Sequence, residues 1–242
     1  RLTSNDLKMT FDHKGAAQIV GLRFQAIPIP PGAIVSEAWV QFQAHEEGSS
    51  ATSLTIRGQA TADSAEFTVD GTDISARPLT TSAVAWSPPA WTTVGAAGPA
   101  ERTPDLTPLV QEIVSRPGWS AGNSLSVLIH GPSGVRIAES FEGAFAPTLH
   151  LEFVPNSVPT VTLSAPDDGG SDFQDRAVSF AASASDAEDG DVSASLVWTS
   201  DLDGAIGTGA SFALSTLSVG AHSITAAATD SGGAQEIGRA HV

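Results

Sequence analysis

Ile34-Val35-Ser36-Glu37-Ala38-Trp39-Val40-Gln41-Phe42-Gln43 is the stretch from which the fold is read. Apolar residues recur at every second position, and Ile34, Ala38, Val40 and Phe42 share one face. That period belongs to a half-buried β-strand. Toward the N-terminus, Ile27-Pro28-Ile29-Pro30-Pro31-Gly32 forbids a central strand and marks a turn. Before it, Ile19–Phe24 alternates again. Beyond lie Leu54–Ala60, Ser124–His130, Val135–Ser140 and Thr148–Phe153, all short and strand-like. One helix interrupts them, Asp105–Arg116. Thr107 is read as its cap, Pro108 as its first residue, and Leu109, Val110, Ile113 and Val114 as its apolar face. Short strands at this spacing predict an all-β, jelly-roll-like sandwich with one short helix over an open end.

Composition excludes several functions. Eleven Lys and Arg stand against 27 Asp and Glu, a net charge of −16. Nucleic acid and anionic membranes both need clustered cations, so neither is an expected partner. No apolar run reaches membrane-spanning length. The absence of cysteine removes disulfides, thiolate metal sites and cysteine nucleophiles. Only Lys8 and Lys14 represent lysine, and tyrosine is absent. An acidic chain rich in Ser, Thr and Gly reads as secreted or cell-surface, hence extracellular. It starts at Arg1 and shows no signal peptide, which reads as processing or truncation.

Val154-Pro155-Asn156-Ser157-Val158-Pro159 divides the chain. Residues 1–155 hold 9 basic and 15 acidic groups, net −6; residues 156–242 hold 2 and 12, net −10. The expected organisation is a first module over 1–154, a linker over 155–159 and a second module over 160–235. In the second, Val158–Leu163, Ala177–Ala184, Leu196–Ser200, Ser211–Leu214 and His222–Thr229 read as strands, with Trp198 in the core. Trp39 is also expected to be core. Glu236-Ile237-Gly238-Arg239-Ala240-His241-Val242 breaks the preceding composition. It resembles one reading frame of a common sequencing adapter (GAG ATC GGA AGA GCA CAC GTC), which makes it an artefactual tail and the chain a metagenomic fragment. The other reading is a short C-terminal strand.

Residues 15–154 resemble a secreted bacterial β-sandwich module of the DNRLRE-like kind. The resemblance rests on Val20-Gly21-Leu22-Arg23-Phe24, Ala38-Trp39-Val40-Gln41-Phe42, Leu54-Thr55-Ile56-Arg57-Gly58, Trp86-Ser87-Pro88-Pro89-Ala90-Trp91 and Arg116-Pro117-Gly118-Trp119. Arg136-Ile137-Ala138-Glu139-Ser140 and Pro147-Thr148-Leu149-His150-Leu151 also fit. Such modules are appended to large exported proteins, and some relatives bind acidic polysaccharides. Residues 156–235 resemble PKD and bacterial immunoglobulin-like repeats. Ser185-Asp186-Ala187-Glu188-Asp189-Gly190-Asp191, Trp198, Asp201-Leu202-Asp203-Gly204 and Thr229-Asp230-Ser231-Gly232-Gly233 carry that likeness. Those repeats have one more strand after the Asp-Ser-Gly-Gly turn, so the second module is expected to lack its last strand and to expose an edge.

Three kinds of site are weighed. For catalysis, His13, His45, His130, His150, His222 and His241 form no nucleophile-elbow or HExxH pattern. Nothing in the sequence sets Glu139 and Glu142, or Glu46 and Glu47, at a glycosidase separation. For metal, Asp186, Glu188, Asp189 and Asp191, with Asp201 and Asp203, offer oxygens suited to a structural Ca²⁺. The competing reading is turn capping and solubility. For glycan, Trp86, Trp91 and Trp119 sit in stiff Pro- or Gly-rich settings, where indole faces would stack on sugar rings. Arg57, Arg77, Arg102, Arg116 and Arg136 are the cations open to an acidic polysaccharide, Arg57 and Arg136 foremost. The expected function is that of a non-catalytic accessory piece of a large exported protein. It would bind polysaccharide or serve adhesion through its first module, with the second as spacer. The alternative is a purely structural pair of modules joined to a hydrolase domain elsewhere in the parent chain.

Overall fold

The computed structural model describes residues 3–11, 15–70, 72–173 and 175–242. His13 and Lys14 lie outside the described residues. The chain is all-β and divides into two compact units, Arg1–Pro155 and Asn156–Val242. The division falls within the proline-containing joint.

The first unit contains β1 (Asp6–Met9), β2 (Val20–Phe24), β3 (Ile34–Gln41), β4 (Ser53–Gln59), β5 (Leu79–Trp86), β6 (Leu125–Ser133), β7 (Arg136–Glu139) and β8 (Thr148–Val154). Its helices are α1 (Asp73–Ala76) and α2 (Thr107–Val114). One antiparallel sheet runs β2-β6-β4-β5. Opposite it, β3 pairs with β8 along one edge. Its other edge takes the segment after Glu101: Thr103 N donates to Val40 O at 3.0 Å and Leu106 N to Ala38 O at 2.7 Å. Val20, Leu22, Leu54, Ile56, Leu125, Val127 and Ile129 meet Val35, Ala38, Val40 and Phe42 in one core. Helix α2 closes it with Leu109, Val110, Ile113 and Val114, the expected apolar face. Gly58 permits that approach, since a Cβ there would lie 2.6 Å from Ile113 Cδ1.

Three details of this unit differ from expectation. A β-bulge between Val35 and Glu37 slips the alternation by one, so Val35 is buried and Ile34 is 47% exposed. The same sheet holds Ala38 and Val40 inward and therefore turns Trp39 outward, where it is only half-buried rather than core. Thr107 is not the cap of α2. Asp105 Oδ1 accepts from the Thr107 N–H at 2.9 Å instead, while Thr107 Oγ1 is buried with no hydrogen-bond partner among the described residues.

The second unit contains β9 (Thr160–Ala165), β10 (Val178–Asp186), β11 (Gly190–Asp191), β12 (Val197–Ser200), β13 (Gly204–Thr208), β14 (Ser211–Leu214), β15 (Ser223–Thr229) and β16 (Gln235–His241). One sheet joins β11, β10 and β14, with β9 also on β10; the other runs β13-β12-β15-β16. Strand β16 corrects the expectation of a missing last strand. It pairs with β15 through seven residue pairs, from Ser223↔His241 to Thr229↔Gln235. Main-chain pairing asks little of side chains, but this segment also has the right ones. Ala240 is buried, Val242 packs on the core, and Gly238 passes so close to Leu163 that a Cβ would lie 2.1 Å from its Cδ1.

Candidate functional site

The tryptophans expected to meet sugar lie inside the first unit. Trp86 ends β5 and stacks on Phe42, with ring centroids 5.7 Å apart. The Trp91 indole N–H donates to Ala100 O, and that of Trp119 to Ile29 O, both at 2.9 Å. All three are buried and present no face to a ligand. Each is large and apolar with one polar atom, and Trp91 and Trp119 each find a backbone carbonyl for that atom.

The arginines follow the same pattern. Arg136 is 2% exposed. Its guanidinium donates to the carbonyls of Ser50, Pro88, Pro89 and Val135 and to Thr52 Oγ1. Burial pushes its pKa below the ordinary value. Arg57 is half-buried and donates to Thr80 O at 3.0 Å. Arg77 grips Asp73 and covers the Phe67 ring at 4.3 Å. The structure therefore overturns Trp86, Trp91, Trp119 and Arg136 as ligand contacts, and Arg57 is tied to the backbone of β5.

The outward face of β3 and β8 gathers a different set. Across this pair Glu37 faces Glu152 and Trp39 faces His150. The His150 ring lies on the Trp39 indole at 4.5 Å, with planes 17° apart. Arg102, from the segment on the other edge of β3, holds its guanidinium carbon 4.7 Å from the indole centroid. The Trp39 N–H donates to Glu37 Oε1 at 3.2 Å. His150 Nε2 stands 3.7 Å from Glu37 Oε2 and 3.6 Å from Glu152 Oε1. A positive group, an indole and an imidazole thus form a row, with two carboxylates at its end. The sequence alone does not bring Trp39, Arg102, His150, Glu37 and Glu152 together as one group. The strand phase carried the signal, because a face holding Ala38 and Val40 inward must put Trp39 outward.

A second polar group surrounds His45. Its Nδ1 contacts Glu139 Oε1 at 2.9 Å, and Asp6 and Glu46 lie close by. Asp6 also takes Lys8 in a short ion pair and the Ser4 hydroxyl. Burial raises the Asp6 pKa, but the hydrogen bonds from Lys8 and Ser4 outweigh it and hold the group below its usual range. A cavity of about 470 Å³ adjoins these residues, lined in part by Asp6, Lys8, His45 and Glu142. Glu139 also accepts from the Ala144 N–H, and Glu142 from the Ser140 hydroxyl at 3.4 Å.

In the second unit each acidic residue expected at calcium has its own internal partner. Asp186 Oδ1 accepts from the Glu188 and Asp189 N–H groups, and its Oδ2 is buried with no partner among the described residues. Glu188 takes Ser157, Asp189 takes Ser231, and Asp191 takes the Ser193 N–H. Asp201 takes the Ser223 N–H, and Asp203 takes Ser218. Among the described residues none of the six belongs to a convergent side-chain ligand group. Hydrogen bonds from Ser231 hold the Asp189 carboxyl below its usual range, and those from Ser193 do the same for Asp191. Their folded values are depressed, so the stabilisation is complete above about pH 4 and is lost as the pH falls further. The Asp189→Ala, Asp191→Ala double variant is expected to lower the melting midpoint of the second unit equally in excess calcium and in excess chelator. A loss confined to the calcium sample would replace turn capping by metal binding.

No helix among the described residues is long and apolar enough to cross a membrane. No family model matches the chain, and no curated protein matches it.

Proposed function

We propose that the chain is a non-catalytic pair of structural modules from a longer exported bacterial protein, acting outside the cell as a spacer between other domains. One observation carries this reading. The indoles of Trp86, Trp91 and Trp119 and the Arg136 guanidinium that a polysaccharide would need are engaged inside the first unit. The acidic composition and the resemblance to secreted repeats support the extracellular setting. The wiring of the second unit suits load-bearing. Its first strand, β9, is hydrogen-bonded to β10, and its last, β16, to β15 in the other sheet. Gly238 of β16 rests on Val161 and Leu163 of β9, so drawing the two strands apart must separate the sheets.

A second reading keeps polysaccharide binding and moves it to the Trp39 row, because that indole alone among the five is not fully buried. Glu37 and Glu152 at its end repel an acidic glycan and restrict this reading to neutral ones. Affinity electrophoresis of the whole chain through neutral and acidic polysaccharides separates the two. The spacer reading expects unchanged mobility in every gel. Retardation by one glycan, lost in Trp39→Ala, replaces it with binding at the β3–β8 face. Retardation that survives Trp39→Ala refutes the spacer reading equally and places binding elsewhere.

A further inference from the structure

Glu37 and Glu152 are directly opposed on β3 and β8. Like charges in that position destabilise a strand pair. Among the described residues neither has a lysine or arginine ion-pair partner; His150 is the group that approaches both. It does so at 3.7 and 3.6 Å, too long for hydrogen bonds.

Those distances fit another figure. Zinc holds nitrogen and oxygen ligands at about 2.0–2.2 Å in a tetrahedron, whose edges are then about 3.3–3.6 Å. The two edges from His150 Nε2 match this within a few tenths of an ångström. The ligand atoms of Glu37, His150 and Glu152 all lie within 4.8 Å of one another. The support behind them is already built. The Trp39 N–H holds Glu37 Oε1, leaving Oε2 toward His150. The Trp39 indole carries the flat of the imidazole, and Arg102 backs the indole. Outer groups that fix a carboxylate and orient an imidazole are what metal sites use.

We propose that Glu37, His150 and Glu152 bind a divalent cation of the zinc class, with water at the fourth position. One imidazole and two carboxylates suit Zn²⁺, Ni²⁺ or Cu²⁺, whereas Ca²⁺ and Mg²⁺ favour oxygen alone. The cation neutralises the opposed glutamates and clamps β8 to β3. This proposal does not rest on the spacer reading, and its probe is the metal alone.

The test is calorimetric titration of the untagged full chain with zinc chloride, and separately with calcium chloride. The expected result is saturable zinc uptake, one equivalent of which disappears in His150→Ala. Glu37→Gln weakens that equivalent at least tenfold, and Trp39→Phe, which keeps a ring but loses the N–H, weakens it about tenfold. His45→Ala leaves it intact, and calcium gives no matching uptake. All these positions are on the surface or half-buried, and far-ultraviolet circular dichroism checks each fold. If His150→Ala fails to fold, Glu152→Gln takes its place. Absence of zinc uptake overturns the proposal, as does uptake unchanged in His150→Ala, or uptake lost in His45→Ala alone.

Discussion

Trp198→Ala is expected to destabilise the second unit by about 3–5 kcal/mol, the range for truncating a fully buried large aromatic. Trp198 is 0% exposed. Its ring meets Phe180 and Phe212 edge-on, each at 5.7 Å, and its N–H donates to Gly209 O at 2.9 Å. Phe180 and Phe212 come from one sheet and Trp198 from the other, so these three rings join the two layers. Beside Val178, Leu196 and Ile224, much of the remaining core is small: Ala182, Ala184, Ala226, Ala228 and Ala240 are buried in this unit. Alanines have no length with which to refill an indole-sized space, and the cavity persists. Native domains hold about 5–15 kcal/mol in total, so the variant sits near the edge of folding. Urea unfolding followed by circular dichroism measures the change. A loss below about 1 kcal/mol would show that the indole does not join the sheets. Trp198→Phe keeps most of the ring contacts but leaves Gly209 O without its donor. It is expected to lose less, about 1–3 kcal/mol.

The sequence discloses the fold through alternation and discloses the site poorly, and both outcomes have physical causes. Leu54–Ala60 is visible because one buried face imposes a period of two, and Ser124–His130 because Leu125, Val127 and Ile129 alternate although both faces are buried. Leu79–Trp86 is not, because Thr80-Thr81-Ser82-Ala83 shows little alternation and the strand owes its place to pairing with β4. A single-residue bulge at Val35–Glu37 reverses the faces of everything upstream in that strand, and no residue type announces it. The strand over Gln235–His241 is hidden when composition is weighed as a whole, as it is in reading Glu236–Val242 as a tail. Its alternation of Gly238, Ala240 and Val242 against Ile237, Arg239 and His241 already permits a strand with small residues inward. The inward placement of Trp86, Trp91 and Trp119 is hidden for a related reason. Pro88-Pro89 stiffens a loop, but stiffness alone does not say which way the loop's side chains face. That is decided by Arg136, whose partners Pro88 and Pro89 lie 48 and 47 positions away in the chain. The Trp39 row needs the register of β3 against β8, and a single strand's sequence does not contain it.

Arg136 yields the second large effect. Arg136→Met is expected to cost the first unit about 3–5 kcal/mol, since several buried acceptors at about 1–3 kcal/mol each lose their donor at once. Among the described residues no carboxylate pairs with the guanidinium. Its charge is met by carbonyl dipoles: Nε and Nη2 reach Pro89 O at 3.0 and 2.9 Å, and Nη1 reaches Ser50 O at 2.9 Å and Val135 O at 2.8 Å. Prolines explain why the donors must come from a side chain. Trp86-Ser87-Pro88-Pro89 lacks two backbone N–H groups, and its carbonyls are turned into the protein. Methionine fills similar volume and supplies no donor, so four carbonyls and Thr52 Oγ1 lose a partner together. Lysine has three donors on a point charge and cannot span a planar fork, so Arg136→Lys is expected to recover only part of the loss. The damage should also be local. Gly48 and Trp91 exchange both backbone hydrogen bonds beside this loop, at 2.8 and 2.9 Å. Amide exchange at these two residues should accelerate in Arg136→Met more than at Val127 in the central strand. Equal acceleration at all three would mean that the guanidinium supports the whole sandwich. An unchanged unfolding midpoint would mean that water replaces it without cost, and that the Trp86–Trp91 loop is held by its indoles alone.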